Sequence, residues 1–309
     1  MTPEFNNNPE LQNQKQEILV LSEFPAIHPT IFATENGTLY LKSPGVVMIS
    51  APSVNLSGMQ EFLDGYPDEY EFSDYLSDPT KLDPAEQLVK VAGQVCYASF
   101  GTARTKNESV GKYIGNLISS GHGSVLEHAN FSLLMYGISR SLTHELVRHR
   151  AGMGFSQLSQ RYVSGRVLRF VERPEYQTDQ NLHKEFEMRI DRASQEYEKM
   201  SDKLLEMQNE GSAVLSAEQK TDRRKKVQQA ARSLLPNETE TVMVATGNVR
   251  AWRHVISMRA SEHAEVEIRD AMFKAYQILR ASAPILFGDF EEISFPDGTF
   301  GVKTQYPKV

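Results

Sequence analysis

Apolar and polar positions recur along the chain with two different periods. Short runs of β-branched and other apolar residues predict strands, because such residues fit a pleated, half-buried surface. The predicted core strands are GVVMIS at 45–50, ANFSLLMYGIS at 129–139 and TETVMVATGN at 239–248. Strands and helices do not alternate as repeated βαβ units. The pattern therefore predicts an α+β protein with a mixed or antiparallel sheet and long helices.

Apolar residues at three- and four-residue spacing predict helices elsewhere. In residues 84–100, Leu88, Val91 and Val95 form the expected core face, with Cys96 beside it. A second helix is expected to end at Gly121, since glycine commonly terminates helices. The predicted helices lie in residues 84–100, 108–124, 140–150, 180–210, 217–235, 249–261 and 262–284.

The two ends of the chain differ from its middle. Residues 1–17 are rich in Asn, Gln and Glu with no apolar period, which predicts a disordered tail. Residues 18–44 hold short apolar runs broken by Pro and Gly, typical of a β-rich N-terminal extension. The main domain is predicted over 45–292, followed by a C-terminal tail over 293–309. Within the domain, the acidic, aromatic stretch 61–78 is interpreted as an exposed connection rather than a lid.

Composition limits the class of partner. The 309 residues carry a formal net charge of -7, which argues against a broad nucleic-acid or anionic-membrane surface and favours a small ligand. One cysteine, Cys96, excludes an intramolecular disulfide and a cysteine-built zinc site, and it fits a reducing compartment such as the cytoplasm. The N-terminal residues lack the pattern of a secretory signal, and no apolar stretch is long enough to span a bilayer.

A zinc-protease motif is nearly present and fails on spacing. His144 and Glu145 begin an HExxH pattern, but the second histidine, His149, comes one residue late. Five residues turn a helix by about 500°, so the two histidines would point to different faces. No metal site is expected.

The chain concentrates cations at the end of a predicted helix. Arg148, His149 and Arg150 are consecutive, and Arg161 follows a polar run beginning at Ser156. On a helix Arg148 and Arg150 would point about 200° apart, so they suit different ligand groups or different subunits. Arginine forks with Ser, Gln and backbone N–H groups form a cradle for phosphate and imide oxygens. A nucleotide-sized ligand is implied.

A second basic cluster supports this interpretation. It contains Asn248, Arg250, Arg253, His254, Arg259 and His263. Arg250 and His254 share a helix face, whereas Arg259 lies on roughly the opposite side of Arg250. The apolar stripe between them, Ala251, Val255 and Met258, is expected to be core. A helix with polar ligands on two faces suggests a site shared between subunits.

Four blocks together resemble a known family. Arg148-His149-Arg150, a spacer and Ser159 followed by QRY form the first block, and the others are GHGSVLEH, ARSLLPNETE and TGNVRAWRHVISMRASEHAEVEIR. In this order they resemble the flavin-dependent thymidylate synthases, and the likeness runs from about residue 45 to 292. The family's usual spacer is seven residues, and here it is eight. The extra residue is expected to bulge at 152–154, which would leave SQLSQRY in register, and the assignment of Gln157 depends on this.

The resemblance implies a homotetramer that holds FAD and methylates C5 of dUMP. The methylene group would come from methylenetetrahydrofolate, and NADPH would reduce the flavin. The FAD contacts implied by matching are Ser124, Arg148, His149, Arg150, Gln157, Asn248, Val249, Arg250 and His254. The dUMP contacts implied, drawn from more than one subunit, are Glu145, Leu146, Val147, Arg148, Gln157, Leu158, Ser159, Gln160, Arg161, Arg232 and Arg259.

Arg259 is the expected catalytic residue, because a cation at the uracil imide would raise electron density at C5. Glu145 stands where some members have glutamine, so its hydrogen bond to the base would differ. No cysteine nucleophile is expected, since Cys96 is predicted to be core. Two alternatives stay open: another flavoprotein acting on a nucleotide, and a helical RNA-binding module that uses the Arg-His-Arg loop.

Overall fold

The computed structural model describes residues 24–162, 168–209 and 220–309. The predicted tail 1–17 and the start of the extension lie outside these residues. The strands are β1 Ala26–Ile27, β2 Ile31–Ala33, β3 Leu39–Leu41, β4 Gly45–Ser50, β5 Asn130–Ser139, β6 Met153–Gln157, β7 Arg169–Val171, β8 Glu240–Asn248, β9 Glu291–Ser294 and β10 Phe300–Lys303. The helices are α1 Gln60–Asp64, α2 Pro84–Val95, α3 Val110–Ser119, α4 Arg140–Leu146, α5 Pro174–Gln177, α6 Gln180–Asn209, α7 Lys220–Ala231, α8 Val249–Arg259 and α9 Val266–Ser282.

A five-stranded antiparallel sheet organises the molecule. Its order is β1-β4-β5-β8-β6, and the three predicted core strands are its β4, β5 and β8. The α+β class is confirmed. The strand β6 was not predicted, because Gly154 and the polar residues Ser156 and Gln157 leave only two apolar positions, Met153 and Phe155, in this segment.

One face of this sheet forms the main core. Along β8, Thr241, Met243 and Ala245 are buried, and the residues between them are half-buried. The buried face packs against apolar residues of α2, α3, α8 and α9. On the other face the hydroxyl groups of Ser132 and Thr246 hydrogen-bond across the strands at 2.8 Å. The sheet therefore has an apolar side under the helices and a more polar side away from them.

The predicted core face of α2 is confirmed for two of its three residues and wrong for the third. Leu88 and Val91 are half-buried and pack against buried apolar clusters, whereas Val95 is 54% exposed. The buried positions also include the polar residues Glu86, Lys90 and Gln94. Neighbouring segments give these side chains partners: the amide of Ile285 donates to Glu86 at 2.7 Å, and Lys90 donates to Asn107 at 2.5 Å. Because buried polar groups are stable when hydrogen-bonded, the tertiary partners outweigh the apolar period.

Cys96 is exposed at the end of α2, so its prediction as a core residue is also wrong. Its thiol contacts the carbonyl oxygen of Ala92 at 3.4 Å. Val95, the last residue of α2, is exposed as well, so this end of the helix lies at the surface.

The N-terminal extension contains strands, as predicted. Strand β1 pairs with β4 in the central sheet, while β2 and β3 form a small sheet in which β3 runs parallel to β7. At the other end β9 crosses the predicted boundary at 292, and the carbonyl of Val309 accepts a hydrogen bond from Arg253. The divisions at 44 and 292 stay predictions.

The acidic stretch 61–78 contains short helical turns. Most of its side chains are exposed, but Leu63 and Tyr75 are buried against Phe100. The long polar helices predicted at 180–210 and 217–235 correspond to α6 and α7. Of the helices in the described ranges, not one combines the length and apolar character needed to cross a bilayer.

Candidate active site

The Arg-His-Arg triplet lies in a turn. Helix α4 begins at its cap Ser139, whose hydroxyl accepts from the amide of Leu142 at 3.1 Å, and it ends at Leu146. The predicted continuation of the helix through Arg150 is therefore wrong. In the turn, Arg148 and Arg150 are exposed and His149 is half-buried. Two arginines thus remain accessible to a ligand while the histidine faces the protein.

Helix α8 supplies the second basic cluster. Its cap Asn248 accepts from the amide of Ala251 at 2.8 Å. Arg250, in the first turn, pairs with Glu127 at 2.6 Å. The GHGSVLEH segment packs closely here, because a Cβ at Gly123 would lie 2.8 Å from the Arg250 Nε. Ser124 is exposed in the same turn.

Arg259, the last residue of α8, reaches across to the triplet. Its Nε donates to His149 Nε2 at 2.9 Å, and its Nη1 donates to Glu145 Oε2 at 2.7 Å. The His149 ring also meets the ring of His254, with centroids 5.8 Å apart. Arg259 and His254 were predicted on separate faces of the helix, yet both contact His149. His149 in the turn after α4 therefore contacts both Arg259 and His254, which a helical projection of α8 places on different faces.

The protonation of His149 follows from these contacts. Burial, the positive charge of Arg259 and the neighbouring His254 together lower the pKa of His149 from 6.5 to about 4, and burial has the largest effect. Arg259 only donates hydrogen bonds, so His149 Nε2 must be the acceptor. At neutral pH His149 is thus neutral with its proton on Nδ1, which leaves that nitrogen as a donor.

The polar run after the turn is anchored to the sheet. Strand β6 pairs continuously with β8 from Met153↔Gly247 to Gln157↔Met243. The predicted bulge at 152–154 is therefore wrong for 153 and 154, and the irregular backbone is confined to the turn ending at Gly152. Gly152 has φ +70°, and a Cβ there would lie 2.7 Å from Asn248 Nδ2. A side chain at this position would be strained and would clash with the cap of α8.

Gln157 is tied into the protein by its amide nitrogen. Its Nε2 donates to Thr143 Oγ1 at 3.0 Å and to Thr241 Oγ1 at 3.3 Å. Among the described residues its carbonyl oxygen accepts no side-chain hydrogen bond. Beyond it, the amide of Leu158 donates to Val242, Ser159 and Gln160 are half-buried, and Arg161 is exposed with its guanidinium over Tyr162.

Arg140 is a cation near the polar run that the sequence interpretation missed. Its Nη1 donates to the carbonyl of Leu158 at 3.2 Å. Burial lowers the pKa of Arg140, and the charge of Arg232 adds to this, so the two arginines lie close together. Arg232 is half-buried in the turn after α7. In the sequence Arg140 is only the first residue of the predicted helical segment RSLTHEL, where no pattern distinguishes it from a surface base.

Several predicted residues face elsewhere. Leu146 and Val249 are fully buried in the core, so a ligand would meet only their main chain. Val147, the C-cap of α4, is half-buried. Arg253 is buried and paired with Asp289, which removes it from the basic cluster. Met258, expected in the core stripe, is 53% exposed, so this part of the prediction is wrong.

The remaining groups suit a nucleotide. Among the described residues Arg148, Arg150 and Arg161 form no ion pair, so most donors of their guanidinium groups are left for phosphate or imide oxygens. With Asn248, His254 and Gln157, these groups are of the types that bind nucleotides. Within the described residues there is no group of three His, Cys, Asp or Glu placed to hold a metal ion.

Comparison with known proteins agrees with this arrangement. The profile of the family described as "Thymidylate synthase complementing protein" matches residues 79–285. Flavin-dependent thymidylate synthases from Mycobacterium tuberculosis (strain H37Rv) and Mycobacterium avium (strain 104) are each 43% identical over 233 residues, which cover 74% of this chain and 90% of theirs. The chain belongs to the flavin-dependent thymidylate synthase family. The predicted family and the prediction of an enzyme are thus confirmed.

A solved structure extends the comparison to the fold of the flavin-dependent thymidylate synthase family. PolB, a UMP/dUMP methylase from Streptomyces cacaoi bound with 5-Br dUMP, superposes with a TM-score of 0.53 at 18% identity. The match covers 80% of this chain and 94% of PolB. At this identity the likeness supports the shared α+β fold alone.

Proposed function

We propose that this chain is a thymidylate synthase that methylates C5 of dUMP to give dTMP. Methylenetetrahydrofolate is the proposed one-carbon donor, and NADPH is the proposed reductant of a bound FAD. The observation that carries the proposal is the position of Arg259. It is held between Glu145 and His149, beside arginines with no ion-pair partner among the described residues. Membership of the flavin-dependent family supplies the reaction class.

The proposed FAD contacts surround the turn after α4. Arg148, Arg150 and Arg250 would hold the phosphates, and the neutral His149 would offer its Nδ1 proton. The remaining proposed contacts are Ser124, Gln157, Asn248, Val249 through its main chain, and His254. When bound, FAD supplies the redox chemistry that the protein side chains lack.

The proposed dUMP contacts lie along the polar run. Arg161 and Arg232 would bind the phosphate, helped by Ser159 and Gln160. The main chain of Leu146, Val147 and Leu158, with Arg148 and the Gln157 oxygen, would complete the contacts. This part of the cradle is incompletely enclosed by one copy, since Arg148 and Arg161 are exposed. We therefore propose that the sites are shared between the subunits of a homotetramer. We also propose a cytoplasmic location, which the single cysteine fits.

Arg259 is the proposed catalytic residue. Its Nε and one Nη1 proton are occupied by His149 and Glu145, which leaves Nη2 and the second Nη1 proton for the uracil imide oxygen. Donors directed at developing negative charge would stabilise the enolate form of the ring and raise electron density at C5. Glu145 would hold the guanidinium in place. The neutral imidazole of His149 would fix its orientation.

The test is the release of tritium from 5-tritiated dUMP by the protein with FAD, NADPH and methylenetetrahydrofolate. We expect tritium release together with dTMP, and neither product when methylenetetrahydrofolate is omitted. NADPH oxidation without tritium release would instead identify a flavoprotein of another activity. The Arg259→Ala variant serves as the matched negative control.

A second experiment tests the absence of a cysteine nucleophile. Cys96→Ala is expected to keep turnover within about twofold of the parent, because the thiol is exposed and its hydrogen bond is to Ala92 of its own helix. The measurement is tritium release at saturating substrates, with circular dichroism to verify the fold. Near-total loss of turnover in a folded variant would overturn the proposed mechanism.

A further inference from the structure

A basic cavity lies at the start of α3, apart from the residues assigned to FAD and dUMP. It has a volume of about 290 Å³. Its lining includes Arg104, Lys106, Glu108, Ser109, Lys112 and Asn116. Three cations and one acid thus line a cavity in a chain of net charge -7. Such a local excess of positive charge favours an anionic ligand.

The wall of this cavity is held in place by buried polar contacts. The amide of Asn107 donates to Asp78 at 2.6 Å, and its side chain accepts from the buried Lys90 at 2.5 Å. Arg104 is fixed by donation from Nη2 to the carbonyl of Asp74 at 2.8 Å. The loop 104–109 is therefore preorganised by groups behind it.

The cations that line the cavity have spare capacity. In the described part of the chain Lys106 and Lys112 form neither an ion pair nor a side-chain hydrogen bond, and both side chains are exposed. An anion in the cavity would pair with these two cations and would also face the amino end of α3, where the helix dipole favours negative charge.

The cavity lies within reach of the candidate active site. Helix α3 has 10 residues and leads directly to the turn that contains Ser124 and contacts Arg250. A helix of this length spans about 15 Å, which a dinucleotide in an extended conformation can bridge. A ligand anchored in the cavity can therefore extend toward the flavin.

We propose that this cavity binds the 2′-phosphate at the adenosine end of NADPH. The proposal rests on the proposed function, in which NADPH is the reductant. A phosphate monoester carries close to two negative charges at neutral pH, which three unpaired cations match better than a neutral hydroxyl group does. The cavity thus makes the enzyme selective for NADPH over NADH.

The first experiment measures binding without turnover. Adenosine 2′,5′-bisphosphate is titrated by calorimetry into the FAD-loaded, dUMP-saturated enzyme. Lys112→Gln is expected to raise the dissociation constant of the bisphosphate about fivefold, which is the size expected for the loss of one partly solvated charge contact. Glu108→Gln removes the only acid named in the lining and is expected to tighten binding about twofold. Lys184→Gln, an exposed lysine on α6, is the matched control and is expected to have no effect.

The second experiment compares the two reductants in steady-state turnover. Lys112→Gln is expected to raise the KM for NADPH about fivefold and to leave the KM for NADH unchanged. An equal change for both reductants, unchanged bisphosphate binding, or loss of FAD from the variant would each overturn the proposal. If the parent enzyme released no tritium from dUMP, the proposed function would fail, and bisphosphate binding would still test the cavity separately.

Discussion

Two arginines on the same helix, Arg253 and Arg259, differ in what is left of their hydrogen-bonding capacity. Arg253 is 1% exposed and donates to the carbonyls of Val309 and Leu286 as well as to both carboxylate oxygens of Asp289. Arg259 is partly exposed and uses two of its nitrogens on Glu145 and His149.

The lowered pKa of Asp289 also indicates that Arg253 is committed to this ion pair. Burial opposes ionisation of this carboxyl, but the hydrogen bonds and charge of Arg253 outweigh burial and lower the pKa. The pair is therefore a structural element that joins α8 to the C-terminal residues. Arg259 instead keeps free donors at an accessible position. Unused donor capacity, more than charge or position in a motif, separates a candidate catalytic arginine from a structural one.

The largest expected effect comes from Arg259→Ala. Turnover should fall at least about 10³-fold, because the donors for the developing negative charge are lost. The free energy of unfolding should change by less than about 1 kcal/mol, since the pair with Glu145 is partly solvated. Tritium release and urea unfolding measure the two quantities. Flavin absorbance should be retained, and a colourless variant would place Arg259 in the FAD site.

Next in size is Arg253→Met. The substitution leaves Asp289 half-buried without its main partner, and we expect a loss of about 3–5 kcal/mol in the free energy of unfolding. Urea denaturation followed by circular dichroism measures it. The double variant Arg253→Met/Asp289→Asn should recover part of the loss, because it removes the uncompensated charge. A single-variant loss below about 1 kcal/mol would contradict the structural role.

Substitution of Glu145 tests whether its carboxylate positions the guanidinium of Arg259. Glu145→Gln keeps a hydrogen-bond acceptor for Arg259 and should lower kcat about tenfold, whereas Glu145→Ala should lower it about 100-fold. The measurement is kcat at saturating dUMP. If Glu145→Ala turned over at the rate of the parent, Arg259 would need no carboxylate to position it.

The smallest expected effect is the pH dependence due to His149. Its folded-state pKa is about 4, against 6.5 for the free side chain, so between these values the unfolded chain binds the additional proton. Stability therefore falls as the pH drops from about 6.5 to about 4. Solvent screening at this half-buried site reduces the expected contribution to about 1 kcal/mol.

The check on His149 is urea unfolding of the parent and His149→Gln at two pH values, about 7.5 and 5.0. The variant should lose less stability on acidification. Glu86 and Glu267, whose pKa values are raised to about 7 by burial, act in the opposite direction in both proteins and cancel in the difference. Identical acid sensitivity of the two proteins would show that the His149 proton is not linked to folding.

The elements of the fold were predictable to different degrees. Strands β4, β5 and β8 and the long helices followed from apolar period, because that period is a local property of the chain. The buried face of α2 was predicted only in part, since the partners of Lys90 and Glu86 lie 17 and 199 positions away in the chain and no local pattern indicates them. The β6 strand was missed because it is short and contains only two apolar residues, Met153 and Phe155, and its pairing with the distant strand β8 specifies it.

The sequence by itself determined the family, the core strands β4, β5 and β8 and the long helices, because each depends on residue type and order. Tertiary structure alone decided which of these residues meet. Glu145, His149 and Arg259 converge because the turn after α4 lies against the end of α8, 110 positions later in the chain. It also decided that Arg253 is structural, since only folding brings Asp289 and Val309 to its guanidinium.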